Sequence, residues 1–445
     1  MSDLLVRGGT VVTVDPGFRV VADGAVAVRD GLVVWVGPAA ESGAWVGPGT
    51  EVLDVRGGAI LPGINDSHVH AAMLGAYWPQ LWMDSMAAGG GLPTPRELET
   101  EAERRGAIER AQDVLLSYGI TSCTEPGLGP GADGQHGGAC GAAVLDTYVS
   151  LAREGALRVR VSALRLFGEL DGPSTLEAVA AGLSSEDPAA GCDPRWFNIL
   201  GLKIFADGIP PMRNAYMSEP YPGDGGGRGE LLTEGGEAGL RAMILAGHRA
   251  GGQVAVHATG DRAIDIVVDA FAEAMAADGR DDAGHYVIHG DCASPCTLER
   301  MAQHGIGLNA QPVIQQATAG MLAAALGDER AAQAFAFGTA RAAGVPLRLS
   351  SDAPVVAPDW RASIAAAATR ADPAQRLTVA EGIKAYTIDA AHQDGAADWK
   401  GSIEPGKVAD LCILSTDPFA IPPTDLPAAD ITYTLVDGTV AFKAV

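Results

Sequence analysis

Residues 59–70 read Ala-Ile-Leu-Pro-Gly-Ile-Asn-Asp-Ser-His-Val-His, an apolar run that ends in two histidines separated by one residue. Side chains of a β-strand alternate between its faces, so His68 and His70 would point the same way while Val69 packs behind them. Two imidazoles on one face at a strand end provide half of a metal site. Because the chain has only nine histidines, a chance surface pair explains this pattern poorly. His-x-His alone is a weak signal, so the other ligands must come from elsewhere in the chain.

Beyond residue 59 the chain alternates strand, loop and helix. Helical spacing is clear in 96–117 and 264–275, and a further helical stretch is predicted at 379–391. This alternation predicts a parallel sheet, and eight strand–helix units predict an α/β fold of the (β/α)8 TIM-barrel type. An open doubly wound sheet is the alternative, although no Gly-x-Gly-x-x-Gly follows the first strand. The predicted strands are 60–64, 120–124, 158–163, 199–205, 253–257, 286–289, 306–309 and 347–350.

The two ends of the chain have a different character from its middle. Short apolar runs with turn signals such as Asp15-Pro16 and Asp30-Gly31 fill residues 4–58, and strand-like runs return at 409–414 and 431–442. We therefore predict a small composite β-sandwich domain formed by both termini, 1–58 and 400–445, attached to a TIM-barrel domain at 59–399.

Charge and composition limit the partners. The chain carries 31 basic and 55 acidic residues, a net charge of −24, which argues against nucleic acid or anionic membranes. No basic-then-apolar leader precedes Leu4 and no apolar run could span a bilayer, so we expect a cytoplasmic protein with its six cysteines reduced. A homodimer is kept as an open hypothesis.

In a TIM barrel the chemistry lies at the carboxyl ends of the strands. Polar residues that could hold a metal follow five of the predicted apolar runs. Four imidazoles and a carboxylate at one end of a barrel suit a divalent metal ion. The candidates are His68 and His70 after the first strand, Lys203 at the fourth, His257 at the fifth, His289 at the sixth and Asp352 at the eighth.

Several motifs resemble a known group of enzymes. Leu61–His70 resembles the opening signature of the metal-dependent amidohydrolase superfamily, and Gly401–Leu411 resembles its closing signature. Lys203-Ile-Phe-Ala-Asp-Gly, Val256-His-Ala-Thr-Gly-Asp-Arg-Ala-Ile and Ser350-Ser-Asp-Ala-Pro resemble the YtcJ-like branch, which includes N-substituted formamide deformylases. The sixth strand departs from that branch, because it reads Val-Ile-His-Gly-Asp where Ile-Glu-His-Ala is usual.

The resemblance implies a binuclear centre of two divalent ions, with zinc expected. His68, His70 and Asp352 would hold one ion, and His257 and His289 the other. Lys203 would bridge them as a carbamate formed with carbon dioxide, because a positively charged ammonium cannot lie between two cations. Metal-bound hydroxide would be the nucleophile. Asp352 would be the catalytic residue that shuttles the proton to the leaving nitrogen.

The predicted activity is hydrolysis of a carbon–nitrogen bond other than a peptide bond, in a small-molecule amide, N-formyl or N-acyl amine, or cyclic imide. A mononuclear deaminase is the alternative, but such enzymes usually carry a glutamate shortly after the fifth-strand histidine, where this chain reads His257-Ala-Thr-Gly-Asp. A non-catalytic scaffold is a third hypothesis, although a scaffold has no need of six ligands at one point.

Two segments are candidates for the substrate pocket. Residues 74–86, with Trp78 and Trp82, would form an apolar wall or else a buried loop. The Gly- and Pro-rich loop Asp207–Glu230 has the length of a lid or specificity loop. We predict that Trp78, Arg213 and Tyr216 contact the substrate.

Three aspartates near these segments have predicted support roles. Asp66 would support the histidine pair, Asp207 would shape the turn after Lys203, and Asp261 would cap a helix.

Overall fold

Sixteen strands form two sheets in the computed structural model, which describes residues 1–223 and 225–444. Asp224, within the predicted loop 207–230, and Val445, at the end of the predicted terminal domain, lie outside the described residues. The strands are β1 (Leu4–Val12), β2 (Val20–Arg29), β3 (Leu32–Pro38), β4 (Glu51–Asp54), β5 (Ala59–Pro62), β6 (Ile64–Asp66), β7 (Ile120–Leu128), β8 (Arg160–Leu166), β9 (Phe197–Phe205), β10 (Gln253–Ala258), β11 (Tyr286–His289), β12 (Gly307–Ala310), β13 (Leu347–Leu349), β14 (Leu411–Leu414), β15 (Ile431–Val436) and β16 (Thr439–Lys443).

The α-helices follow strands of the central sheet along the chain, and the last of them precede β14. They are α1 (Ala71–Tyr77), α2 (Trp82–Ala87), α3 (Glu101–Ser117), α4 (Ala142–Arg153), α5 (Leu176–Leu183), α6 (Gly236–Arg249), α7 (Asp261–Asp278), α8 (Pro295–Gln303), α9 (Pro312–Leu326), α10 (Asp328–Gln333), α11 (Phe337–Ala343), α12 (Trp360–Ala368), α13 (Val379–Ala385) and α14 (Ile388–Gln393).

The central sheet is the predicted TIM barrel. Strands β6 to β13 follow one another in chain order, and each is parallel to the next. Hydrogen bonds just beyond the last and first strands bring them together: Asp352 N donates to His68 O at 2.9 Å, and His70 N donates to Ala353 O at 2.9 Å. The prediction of the fold class is confirmed.

Strand alternation sorts the barrel side chains into two groups. On β9, Leu202 and Ile204 pack outward against the helices, while Lys203 and Phe205 lie on the other face. A layer of Leu164, Ala255, Tyr286 and Ile288 fills the interior. Polar residues at the carboxyl ends of these strands therefore lie above an apolar layer that closes the barrel interior.

The termini share the second sheet, as predicted. Its order is β16-β15-β14-β5-β1-β2-β3, with β4 beside β1. The sheet folds over on itself, because Leu32 bridges Val408 and Val33 N donates to Lys407 O at 2.9 Å. The enclosed core holds apolar side chains from both ends of the chain, such as Val26 and Leu435.

The predicted first barrel strand, 60–64, is divided between the two sheets. Strand β5 pairs with β14 in the terminal sheet, and β6 pairs with β7 in the barrel. Gly63 separates them, since a Cβ there would lie 2.1 Å from Thr121 Oγ1. The chain passes too close to β7 at this point for any larger residue.

Two predicted helices also differ in their bounds. Helix α3 begins at Glu101 rather than near residue 96, because Thr100 and Glu103 form a reciprocal capping box. The stretch 379–391 is two helices, α13 and α14, separated at Thr387, whose φ of −132° and ψ of −95° are not helical.

No helix in the described part of the chain is long and apolar enough to cross a bilayer. All six cysteines are free.

Candidate metal centre

His68, His70 and Asp352 converge where the barrel closes. Asp352 Oδ1 lies 3.2 Å from His68 Nε2 and 3.6 Å from His70 Nε2. The main chain fixes this arrangement, because Asp352 N donates to His68 O. Asp352 has a φ of 58°, a left-handed conformation that is uncommon outside glycine. Such strain persists only where the surrounding structure enforces it, and it is common at functional sites.

His257 and His289 complete the ring of imidazoles. Their ring centres are 4.6 Å apart, and the His289 ring is 5.6 Å from that of His68. His289 also has a left-handed φ, of 70°. The side chains of His68, His289 and Asp352 each offer a ligand atom within 4.8 Å of the others. The structure thus brings together imidazoles from three distant parts of the sequence.

Lys203 lies among these histidines on β9 and is almost fully buried. Its Nζ is 4.4 Å from the centre of the Phe205 ring. Burial lowers the pKa of Lys203 to about 7, against the opposing influence of the Asp352 and Asp171 carboxylates. With its pKa lowered in this way, a substantial fraction of this buried lysine is a neutral amine near physiological pH.

The chemistry of the donor set fits a divalent metal. Burial, opposed by Asp352, lowers the pKa of His70 to about 3 and that of His289 to about 4, so both rings are neutral and have a free lone pair. The Nδ1 atoms of His68 and His70 are buried without a hydrogen-bond partner in the described structure. Buried nitrogen atoms without partners are costly unless something binds at the site.

A neighbouring side chain and a main-chain carbonyl fix the orientation of two of the imidazoles. His289 Nδ1 donates to Gln311 Oε1 at 2.7 Å, which leaves Nε2 as the free lone pair. The Gln311 amide is itself held, because its Nε2 donates to Ser350 Oγ at 2.9 Å and to Asn309 Oδ1 at 3.1 Å. His257 Nε2 donates to the Gly208 carbonyl oxygen at 3.2 Å. Bonds of this type commonly orient metal-binding histidines.

The aspartates for which support roles were predicted make main-chain contacts. Asp66 Oδ1 accepts from Ser351 N at 3.0 Å, which links the first and last strands. Asp207 accepts from the backbone N–H groups of Tyr216, Thr259 and Gly260 at 2.8 to 3.0 Å, so it ties its own loop to the end of β10.

The role predicted for Asp261 differs in detail. Helix α7 begins with Asp261 itself, and Gly260 is the N-cap residue. The Asp261 carboxylate instead accepts from Ser218 N at 2.9 Å, and it also contacts the Ser218 hydroxyl. It therefore fastens the loop after β9 to the start of α7.

Glu125 is a site residue that the sequence analysis missed. It lies on β7, where its Oε2 accepts from Ala72 N at 3.1 Å and from the Tyr148 hydroxyl at 3.3 Å, and its Oε1 is 3.7 Å from His70 Nδ1. Burial raises the pKa of Glu125 to about 8. The signal was present, because Glu125 directly follows the predicted strand 120–124 and meets the strand-end criterion that selected the other candidates.

A cavity of about 460 Å³ opens above the candidate ligands. Asp171 and Asp291, neither of which was predicted, border it together with Trp82 and Met212. Asp291 belongs to the sixth-strand segment in which the sequence departs from the YtcJ-like pattern.

Trp78, Arg213 and Tyr216 do not border this cavity in the described part of the chain. Arg213 turns away from it and donates to Pro222 O at 3.0 Å and to Ala324 O at 3.3 Å. It therefore clamps the loop after β9 to the end of α9, and its neighbour Met212 faces the cavity instead. Trp78 packs against the main hydrophobic core, and Trp82 lies at the cavity in its place.

Comparison with known proteins gives consistent matches. The sequence profile of the amidohydrolase family matches residues 87–442. The amidohydrolase YtcJ of Bacillus subtilis is 31% identical over 252 residues, which cover 54% of this chain and 47% of that protein. The N-substituted formamide deformylase of Arthrobacter pascens is 30% identical over 209 residues, 45% of this chain and 38% of that protein. The chain thus spans about half or less of the length of these two relatives.

The fold also has a close structural counterpart. An uncharacterised metal-dependent hydrolase from Pyrococcus furiosus superposes with a TM-score of 0.74 at 23% identity, covering 93% of this chain and 99% of that one. At this level of identity the similarity concerns the fold alone.

Proposed function

The chain belongs to the amidohydrolase family of metal-dependent hydrolytic enzymes, and from that premise we propose that it hydrolyses a carbon–nitrogen bond other than a peptide bond in a small-molecule amide. The similarity to YtcJ and to the formamide deformylase confirms the resemblance drawn from the sequence motifs. The substrate classes proposed are an amide, an N-formyl or N-acyl amine, or a cyclic imide.

One observation carries the proposal. His68, His289 and Asp352, which are far apart in the sequence, offer ligand atoms within 4.8 Å of one another beneath a cavity large enough for a small molecule. His68 and His70 would hold one divalent ion together with Asp352, and His257 and His289 would hold a second. Zinc suits such nitrogen and carboxylate ligands. Divalent ions at these positions would polarise the substrate carbonyl and make a water molecule more acidic.

Lys203 is proposed to bridge the two positions as a carbamate. Its buried Nζ has the neutral form that addition of carbon dioxide requires, and the addition releases one proton and gives an anionic N-carboxylate. The negative charge of the carbamate would then lie among the proposed metal ligands, where two divalent ions would repel an ammonium group.

Asp352 is proposed to move the proton. Its Oδ1 faces the histidine pair, so this oxygen can accept the proton of the attacking water and return it to the leaving nitrogen. Glu125 and Gln311 act as positioning residues. Glu125 contacts His70, and Gln311 accepts a hydrogen bond from His289, each from the side away from the other candidate ligands.

No glutamate lies among the residues shortly after His257, where the deaminase alternative requires one. The residue four positions after His257 is Asp261, whose carboxylate is engaged by Ser218. The binuclear hydrolase is therefore preferred.

The test combines metal analysis with a substrate panel. Protein purified without chelators should contain close to two metal ions per chain, and it should hydrolyse members of a panel of formamides, N-acyl amines and cyclic imides. Full activity with one ion per chain would favour a mononuclear reaction. A metal-loaded protein that deaminates aminopurines and leaves every amide intact would overturn the proposal.

A further inference from the structure

Apolar side chains from separate segments wall the cavity above the candidate ligands. The loops and helices after the first, third, fourth, seventh and eighth strands all contribute, among them Trp82, Leu170 and Phe335. Five of the ten methionines of the chain border this one cavity: Met73, Met83, Met86, Met212 and Met321. Methionine is unbranched and polarisable, so such a wall adapts to apolar groups of different shape.

Helix α9 supplies one side of the cavity in a regular way. Ile314, Thr318 and Met321 border it at spacings of four and three residues, which places them on one face of the helix. Leu322 and Leu326, on the adjacent side of the helix, are buried in the main core. The cavity-facing stripe is therefore held in place by core packing on the adjacent side of the same helix.

The mouth of the cavity exposes an unusual amount of apolar surface. Among the described residues, five of the large apolar side chains that are exposed to solvent border the cavity: Met86, Leu92, Ile209, Met212 and Met321. Leu92 is 58% exposed and Met212 is 65% exposed. A concentration of exposed apolar side chains around a cavity marks a surface that binds an apolar group.

Apart from the histidines, the titratable side chains around the cavity are almost all acidic. Lys203, proposed above to be a carbamate, is the one lysine or arginine among the described residues that border it, whereas Asp171, Asp207, Asp291 and Asp352 all do so. The whole chain carries a net charge of −24. A carboxylate on the substrate would find no arginine to pair with and would lose its hydration without compensation.

From these contacts we propose that the substrate is an uncharged amide with one extended apolar group, which fills the cavity and reaches the exposed rim of Leu92, Met212 and Met321. The identity of the reacting bond rests on the proposed function, whereas the recognition of the apolar group rests on the cavity alone. Substrates with a carboxylate at the far end of that group are rejected.

The test uses the metal-loaded protein and a series of N-alkylformamides from ethyl to octyl. Each added methylene should raise kcat/KM by about two- to fourfold until the alkyl chain passes the rim. An octyl-length formamide that ends in a carboxylate should be poorer than N-octylformamide by roughly 100-fold or more. A flat series, or equal use of the carboxylate analogue, would overturn the inference even if the short formamides are hydrolysed.

A charge introduced at the rim gives a second, independent test. Met321→Lys should lower kcat/KM for N-octylformamide and raise it for the carboxylate analogue, because the new ammonium pairs with that end. Val440→Lys is the matched control, since Val440 is 41% exposed in the terminal sheet and Met321 is 38% exposed. Equal effects of the two substitutions would contradict the assignment of the rim.

Binding to the Asp352→Asn variant separates the two hypotheses. Calorimetry with N-ethyl- and N-octylformamide reports on the cavity whether or not the bond is cleaved, and octyl binding should be tighter, with a negative heat-capacity change. If N-octylformamide binds in this way but the wild type cleaves no amide, the proposed function fails and the apolar recognition stands. If short amides are cleaved but chain length does not affect binding, the proposed function stands and the apolar recognition fails.

Discussion

Lys203 is the residue whose chemistry tests the proposed metal centre most directly. Lys203→Ala should lose bound metal and turnover together, because the bridging carboxylate can no longer form. Lys203→Arg should not restore either, since a guanidinium keeps its charge and cannot add carbon dioxide. Metal analysis and turnover are the measurements, with acetate or propionate added to the alanine variant in an attempt to replace the carbamate oxygens.

The exposed lysine of α13, Lys384, provides the control for that prediction. Lys384→Ala should keep the metal content and activity of the wild type. An alanine variant at Lys203 that binds a full complement of metal and remains active would remove the bridge from the mechanism.

Asp352→Asn should keep the fold and much of the metal but lose turnover by roughly 10²–10⁴-fold, because an amide cannot accept the proton of the attacking water. The backbone contact from Asp352 N to His68 O does not depend on the carboxylate and should survive. Turnover with an authentic substrate and circular dichroism check the two parts. Turnover close to that of the wild type would assign the proton transfer to another group.

Gln311→Leu should weaken metal binding by roughly 10–100-fold without unfolding the barrel. The leucine cannot accept the His289 Nδ1–H that Gln311 Oε1 receives at 2.7 Å, so the ring loses its fixed orientation. Competition with a fluorescent chelator measures the affinity. Gln316→Leu, at an exposed position of α9, is the control, and identical affinities in the two variants would exclude a positioning role for Gln311.

The sequence predicted the six candidate ligands because strand alternation and strand ends are local properties. His68, His257 and Lys203 each follow an apolar run, and the fold brings them to one end of the barrel. The strand-end position of Glu125 was within reach of such reasoning, but the individual contacts of side chains were not. Glu125 reaches His70 only because β6 and β7 are neighbours, and Arg213 turns to α9 while Met212 faces the cavity, which no spacing rule indicates.

At the level of elements, two helices and a strand meet at a pair of hydrogen-bonded histidines on the barrel end opposite the cavity. Val254 N donates to His285 Nδ1 at 2.9 Å, so the His285 proton is on Nε2, which donates to His248 Nδ1 at 2.8 Å. His248 Nε2 in turn donates to Asp278 Oδ1 at 2.9 Å. These bonds join the ends of α6 and α7 to the start of β11.

This contact predicts a pH-dependent contribution to stability. Burial, together with the electrostatic influence of the neighbouring His248 and Arg280 side chains and against that of Asp278, lowers the pKa of His285 to about 3 from the ordinary value of 6.5. Between these values the unfolded chain binds a proton that the folded chain does not, so the contribution is complete above about pH 6.5 and is lost as the pH falls towards 3. The slope contributed by one such group is at most about 1.4 kcal/mol per pH unit.

His285→Phe should therefore flatten the acid side of the stability curve, although the variant is less stable at pH 7.5 by about 1–3 kcal/mol because Val254 N loses its acceptor. Urea unfolding at pH 7.5, 6 and 5, with chelator present in every sample, separates this effect from metal loss. An unchanged slope between pH 6 and 5 would show that His285 does not contribute to the acid sensitivity.

Element boundaries were the weakest part of the sequence-based description. The apolar run 60–64 gives no sign that it serves two sheets, because β5 and β6 are both buried. The division depends on Gly63 passing against Thr121, a contact between residues 58 positions apart in the sequence. The capping box at Thr100, by contrast, is a local motif that can be identified from the sequence alone.

For the whole molecule, the decisive connection is between the barrel and the terminal sheet. Arg160 on β8 is buried, and it donates from Nε to Asp410 Oδ2 at 2.7 Å and from Nη2 to Asp410 Oδ1 at 3.1 Å. Its guanidinium also contacts Asp437, and it lies 4.6 Å from the ring centre of Trp196. The two carboxylates come from the C-terminal part of the terminal sheet, so this barrel residue links the barrel to that sheet.

Asp410→Asn should destabilise the protein by about 3–5 kcal/mol, because it leaves the buried Arg160 without its bidentate partner. Since Arg160 links both sheets, the loss should appear in a single unfolding transition followed by tryptophan fluorescence and by far-ultraviolet circular dichroism. Arg158→Ala is the matched control two residues away, where an exposed pair with Asp113 at 2.7 Å should contribute no more than about 1 kcal/mol. Equal losses in the two variants, or a terminal sheet that unfolds well before the barrel in the wild type, would contradict a shared core held by Arg160.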